Sequence, residues 1–158
     1  MLKDTIKEDM KTAFKAGDTV TRGTLTMLLS VIQNREIEKR TRTGEAELTD
    51  EEVVAAIGTE IKKRKDAAAQ YEAAGRAELS SAETAEAAIL MKYMPEQMSE
   101  EAVKVLIAQA IAETGAAGLA STAGVKDMGR VMGMVAPKTK GKFDGARLNE
   151  LVKEALSA

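Results

Sequence analysis

"TDEEVVAAIGTEIKKRKDAAAQYEAAG", residues 49–75, decides how the rest of the chain is read. Thr49 with Glu52 three residues later forms a capping box, in which a hydroxyl and a carboxylate satisfy free amides at a helix start. Behind it Val53, Ile57, Ile61, Ala68 and Tyr71 keep a helical period as far as Gly75. Lys62, Lys63, Arg64 and Lys65 interrupt the stripe with four consecutive positive charges. A run of this length and period predicts one long helix, and no stretch of the chain alternates convincingly at period two.

The flanking segments repeat the pattern. Leu2, Ile6, Met10, Ala13 and Phe14 trace a stripe that Gly17-Asp18 ends; a second helix carries Leu25, Leu28, Leu29 and Ile32 inward and tails into a polar TRTGEAE loop. Ser80 with Glu83 reads as another capping box, opening a short helix with Ala85, Ile89 and Tyr93 inward. Pro95 disfavours helix before it and cannot continue one, so Met94-Pro95 is the expected boundary. Beyond it Ser99 caps a helix with Val103, Leu106, Ile107, Ala110 and Ile111, stopped at Gly115. A small, weakly specified AAGLASTAG stretch comes next, then a short helix to Pro137, a lysine-rich loop, and a last helix capped by Asp144 with Leu148, Leu151, Val152, Ala155 and Leu156 inward. The expectation is an all-α chain: an N-terminal helical hairpin or bundle over residues 1–94 and a smaller C-terminal three-helix domain over 95–158.

Composition supports helices and removes most chemistry. The 158 residues are 44% hydrophobic but only 3% aromatic, with nine Met and no Trp, so burial depends on aliphatic and small side chains. There is no Cys and no His, which excludes thiol nucleophiles, disulfides, thiolate or ordinary zinc sites, and any Ser-His-Asp or Cys-His mechanism. Paired carboxylates such as Glu51-Glu52 and Glu100-Glu101 fall in first helical turns, where the helix dipole accounts for them. No catalytic residue, cofactor or metal is therefore expected, although carboxylate, Lys, Tyr or Ser chemistry stays open. No apolar run reaches signal-peptide or membrane-span length, which points to a cytoplasmic protein with no membrane partner.

Charge is segregated. The formal net charge is -2, yet residues 126–147 hold six cations, Lys126, Arg130, Lys138, Lys140, Lys142 and Arg147, against Asp127 and Asp144, a net +4. The remainder holds 17 cations against 23 carboxylates, a net -6. A basic concentration in an acidic chain is the footprint of a phosphate-binding surface. Were residues 138–142 extended, alternate lysines would share one face about 6.5–7 Å apart, reaching successive phosphates. Gly141 would admit a close backbone approach and Phe143 would either stack on a base or tuck into the core. Around this loop, Asp144 with Gly145 starts the last helix, and Asn149 is expected to reach back and brace the lysine loop. Gly129 and Gly133, four apart on one face, suggest close helix packing, or else a bare surface for RNA backbone. Two further basic patches, one of Arg35, Lys39, Arg40 and Arg42 and the other at 62–65, have acidic neighbours and read as solvated faces.

KDMGRVMGMVAPKTKGKFDGARLNELVK, residues 126–153, resembles the tail signature of GatB/YqeY proteins. TLTMLLSVIQNREIEKR, LTDEEV and YMPEQMSEE extend the resemblance to the stand-alone YqeY-like form along nearly the whole chain. The resemblance implies two helical domains. The second is similar to the tail of the B subunit of the tRNA-dependent amidotransferase, a carbon–nitrogen ligase with glutamine as amido-N-donor, where the module helps hold tRNA away from the reaction centre. The amidotransferase core itself is missing, so the resemblance implies an accessory module with tRNA or a tRNA-associated enzyme as partner, rather than an autonomous enzyme. Val135-Ala136-Pro137, Thr139 and Phe143 depart from the usual tail pattern without removing its charges or glycines. The other reading is a protein adaptor that docks the long helix, or the short helix before Pro137 with its Met and Gly residues, on a synthetase or amidotransferase subunit.

Overall fold

A computed structural model describes residues 1–115 and 124–157, excepting the side chains of 124–126. The weakly specified stretch lies almost wholly outside the described residues. What is described is all-helical, in two compact units, Met1–Met94 and Pro95–Ala158.

The first unit holds α1 (Leu2–Ala16), α2 (Thr19–Thr43), α3 (Asp50–Ala73) and α4 (Ala77–Met91). Local chemistry sets each junction. Asp18 Oδ1 accepts from the Thr21 amide at 2.9 Å, capping α2 directly after α1 ends. At the start of α3 both halves of the capping box form, with the Thr49 amide donating to Glu52 at 2.8 Å and the Glu52 amide donating to Thr49 Oγ1 at 3.2 Å. At the other end Gly75 takes φ 70°, and the Arg76 amide donates to the Tyr71 carbonyl at 2.8 Å while the Gly75 amide donates to Glu72 at 3.0 Å. This paired bonding is the Schellman ending, and it turns the chain so tightly that α4 begins at Ala77.

That early start overturns the second capping box. Ser80 is buried one turn inside α4 rather than at its N-cap, and the helix shows no side-chain cap. The inward set changes in part: Ser80, Ala87 and Leu90 are buried and Ala85 is exposed, while Ile89 and Tyr93 pack partly buried against the core as expected. The apolar residues of α4 lie all around the helix, so periodicity could not fix its phase. The tail of α2 is also longer than expected, since Thr41-Arg42-Thr43 remain helical up to Gly44. Phe14 leaves the α1 stripe; it is 62% exposed, with the Arg22 guanidinium 4.7 Å from its ring centre.

Ile6, Leu25, Leu28, Ile32, Leu48, Val53, Ile57, Ile61 and Leu90 form the core of this unit. Charges are buried beside it. Arg64, expected on a solvated face, is only 6% exposed, and its guanidinium bonds both Glu60 and Glu86 at 3.0 Å. Glu36 is buried against the Lys3 ammonium in the same way. A basic run at helical spacing must turn one of its members inward, and Arg64 is that member because α4 offers it a carboxylate.

The second unit holds α5 (Glu100–Thr114), α6 (Gly124–Thr139) and α7 (Gly145–Ser157). Ser99 caps α5 by accepting from the Ala102 amide at 3.2 Å. Val103, Ile107, Ala110, Val131, Val135, Leu148, Leu151, Val152 and Leu156 close the core. The helix expected to stop at Pro137 runs on to Thr139. Pro137 sits in the last turn, where it forfeits the bond to the Gly133 carbonyl and only two helical residues follow it.

Candidate nucleic-acid interface

The basic window maps onto the exposed side of α6, the turn after it and the start of α7. The turn is not extended. Lys138 and Thr139 belong to the last helical turn, and the amides of Lys142 and Phe143 both donate to the Thr139 carbonyl, at 2.9 and 3.0 Å. Gly141, at φ 74°, supplies the left-handed residue such a reversal needs. The even spacing of three lysines along one strand face is therefore lost. A helix that continues through Pro137 leaves too few residues before Asp144 for a strand to form.

Thr139 anchors the turn from inside: it is 2% exposed, and its hydroxyl donates to the Val135 carbonyl at 3.1 Å. The incoming segment anchors it from outside. The Met98 amide donates to the Lys142 carbonyl at 2.8 Å, and Gln97 Nε2 donates to the carbonyls of Gly141 at 3.0 Å and Pro95 at 2.7 Å. Sequence reasoning missed Gln97 and Met98 as supports; Pro95 marks a boundary plainly, but nothing in the local pattern ties Gln97 or Met98 to a turn more than 40 residues away. Phe143 is half-buried and packs against the core of the unit, so it is a structural plug rather than a base-stacking platform.

Lys138 and Lys142 are exposed, as is Arg130 on α6, and none of the three forms an ion pair among the described residues. Lys140 is exposed but does not lack an interaction. The side chain of Lys126 lies outside the described residues. Arg147 differs from all of them. Its guanidinium bonds Glu100 at 3.1 Å, Glu150 at 2.9 Å and Glu154 at 3.2 Å. Hydrogen bonds from Arg147 first, and then from Lys104, pull the Glu100 carboxyl down to about 2, and the carboxylates around Arg147 raise its affinity for its proton. Arg147 is thus a clasp between α5 and α7, and its charge is already neutralised.

The supporting residues divide likewise. Asp144 caps α7, its Oδ1 accepting from the Arg147 amide at 2.8 Å, with Gly145 opening the helix. Asn149 does not reach the lysine loop. Its Nδ2 donates to the Gly145 carbonyl at 3.0 Å, one turn back along its own helix. The Gly129/Gly133 expectation is also corrected. A Cβ placed on either would meet nothing within 4 Å, so no neighbouring helix of this unit packs there. With Pro137 a further four residues on, they leave a strip of α6 almost free of side chains, beside Arg130.

The basic patch of α2 behaves otherwise. Arg35, Lys39 and Arg42 line a cleft of about 450 Å³ together with Glu38 and Glu52. Lys39 bonds Glu52 at 2.8 Å and Glu45 at 2.9 Å, and those two carboxylates raise its proton affinity. Among the described residues no cluster of acidic side chains is placed to hold a metal ion, and no helix is long and apolar enough to cross a membrane.

No curated protein matches the chain. The family described as Yqey-like protein matches residues 3–156, and with nearly its whole length covered the chain belongs to the YqeY-like family.

Proposed function

We propose that this protein is a non-catalytic RNA-binding accessory module, with tRNA as its leading candidate ligand, acting in the cytoplasm. The observation that carries this reading is the contrast within the basic window. Arg147 is spent on three carboxylates, whereas Arg130, Lys138 and Lys142 are exposed and make no ion pair among the described residues. An unpaired ammonium loses little on meeting a phosphate and gains the entropy of the counterions it releases. The resemblance of residues 126–153 to the amidotransferase tail supports tRNA in particular.

The test is a titration of unfractionated tRNA by fluorescence anisotropy, wild type against R130E/K138E/K142E. Wild-type affinity should fall with salt by about 0.9 log-log units for each phosphate contact, and the variant should lose at least about tenfold together with most of that slope. Equal, weak binding by both proteins contradicts the proposal. A second reading, docking on a tRNA-associated enzyme, draws on the open strip at Gly129 and Gly133, where a partner helix would meet no Cβ. It predicts co-purification that survives high salt and is untouched by the charge reversals.

A further inference from the structure

Resting on the RNA-binding reading above, we infer that the ligand of this face is double-helical RNA gripped by its backbone, not a single strand read by its bases. Proteins that hold single strands without strong sequence preference stack successive bases on aromatic side chains. Residues 95–158 contain one aromatic, Phe143, and it is half-buried against the core. Arg147, which could stack through its guanidinium plane, is fixed in its carboxylate cluster.

The amide groups that would pair with adenine edges are already bonded near the turn. Gln97 bonds the carbonyls of Pro95 and Gly141, and Asn149 bonds that of Gly145. What points outward is a guanidinium on α6 and ammonium groups at its end, and on an A-form duplex, whose deep and narrow major groove side chains cannot read, such cations meet phosphate rather than guanine edges. A-form RNA suits such a surface, because its minor groove is wide and shallow, with phosphates along both edges and 2′-hydroxyls inside. The strip at Gly129 and Gly133 lets helix backbone come close to such a groove.

The experiment measures binding of the full chain, at one low salt concentration, to four probes of about 16 base pairs or nucleotides. These are a mixed-sequence RNA duplex, a duplex of scrambled sequence, one of the constituent single strands, and the DNA duplex of the first sequence. The two RNA duplexes should bind within about twofold of one another, at least about tenfold tighter than the single strand, and tighter than the DNA. The variant G129A/G133A, whose added methyl groups meet nothing in the fold, should weaken the RNA duplex several-fold. A single strand bound as tightly as the duplex, or duplex sequences differing more than tenfold, overturns this inference and leaves RNA binding standing. Unchanged duplex affinity in G129A/G133A overturns the placement on this strip, and failure to bind any probe overturns the RNA-binding reading itself.

Discussion

In residues 1–94 basic side chains that come together with acidic ones are used to hold helices. Lys3 is bonded to Glu36, Lys39 to Glu45 and Glu52, and Arg64 to Glu60 and Glu86, with Arg64 and the carboxylates of Glu36 and Glu60 buried. In residues 95–158 Arg147 is used in this way, whereas Arg130, Lys138 and Lys142 face solvent without an ion pair among the described residues. The difference lies in neighbours rather than composition. Each of these consumed cations meets a carboxylate at ion-pair distance, whereas Asp127 and Asp144, close in sequence to Arg130 and Lys142, form no ion pair with them.

The comparison is most easily broken at Arg64. Replacing it with Leu removes the guanidinium between Glu60 and Glu86 and leaves the buried Glu60 carboxylate with Lys63 alone, which should cost about 1–3 kcal/mol in urea unfolding. A loss below about 1 kcal/mol would mean that the pairing contributes little. Glu60 adds a pH dependence of known sign. Burial pushes its carboxyl up, but the bonds from Lys63 and Arg64 outweigh burial and hold it below the ordinary range. Its contribution is present at neutral pH and fades as the pH falls through the acid range.

The second unit offers a smaller effect of opposite sign. Gly129→Ala and Gly133→Ala should each raise stability by about 0.5–1 kcal/mol, because alanine restricts the unfolded chain and its methyl meets nothing in the helix surroundings. Destabilisation would instead show that the strip is packed. Hydrogen exchange of the α6 amides distinguishes the two.

Smaller again is the acid limb set by Glu100. Its carboxyl is held at about 2, against 4.5 for the free side chain. The clasp with Arg147 is therefore fully present above the free-side-chain value of 4.5 and lost as the pH falls from there towards about 2. In E100Q, exchange protection of the α5 and α7 amides should be lower than wild type near neutral pH and converge with it at the acid end of that range. Parallel curves across the range would contradict the assignment.

Helix identity is legible in the sequence because capping boxes, left-handed glycines and apolar stripes act over a few residues. Thr49-Glu52, Gly75, Ser99 and Asp144 each do what their local chemistry dictates. Three readings fail where the deciding partner is distant or the local signal is degenerate. The phase of α4 cannot be read from a helix apolar on all sides. Arg64 and Arg147 look like open charges until Glu86 and Glu100, 22 and 47 residues away, are placed beside them. The lysine loop reads as a strand if Pro137 is a stop, whereas the proline lies within a final helical turn that runs on to Thr139. The basic window itself is plain in the sequence; which of its cations stay open is not.

Under the proposed function, RNA binding is assigned to the second unit by the arrangement of its cations, not by net charge. Two variants with the same charge change test that most directly. R130E/K138E/K142E reverses the open cations of the second unit, and R40E/K62E/K65E reverses three exposed cations of the first. Anisotropy titrations with tRNA at one salt concentration should give at least about tenfold weaker binding for the former and a change within about threefold for the latter. Equal losses in the two variants would contradict the claim.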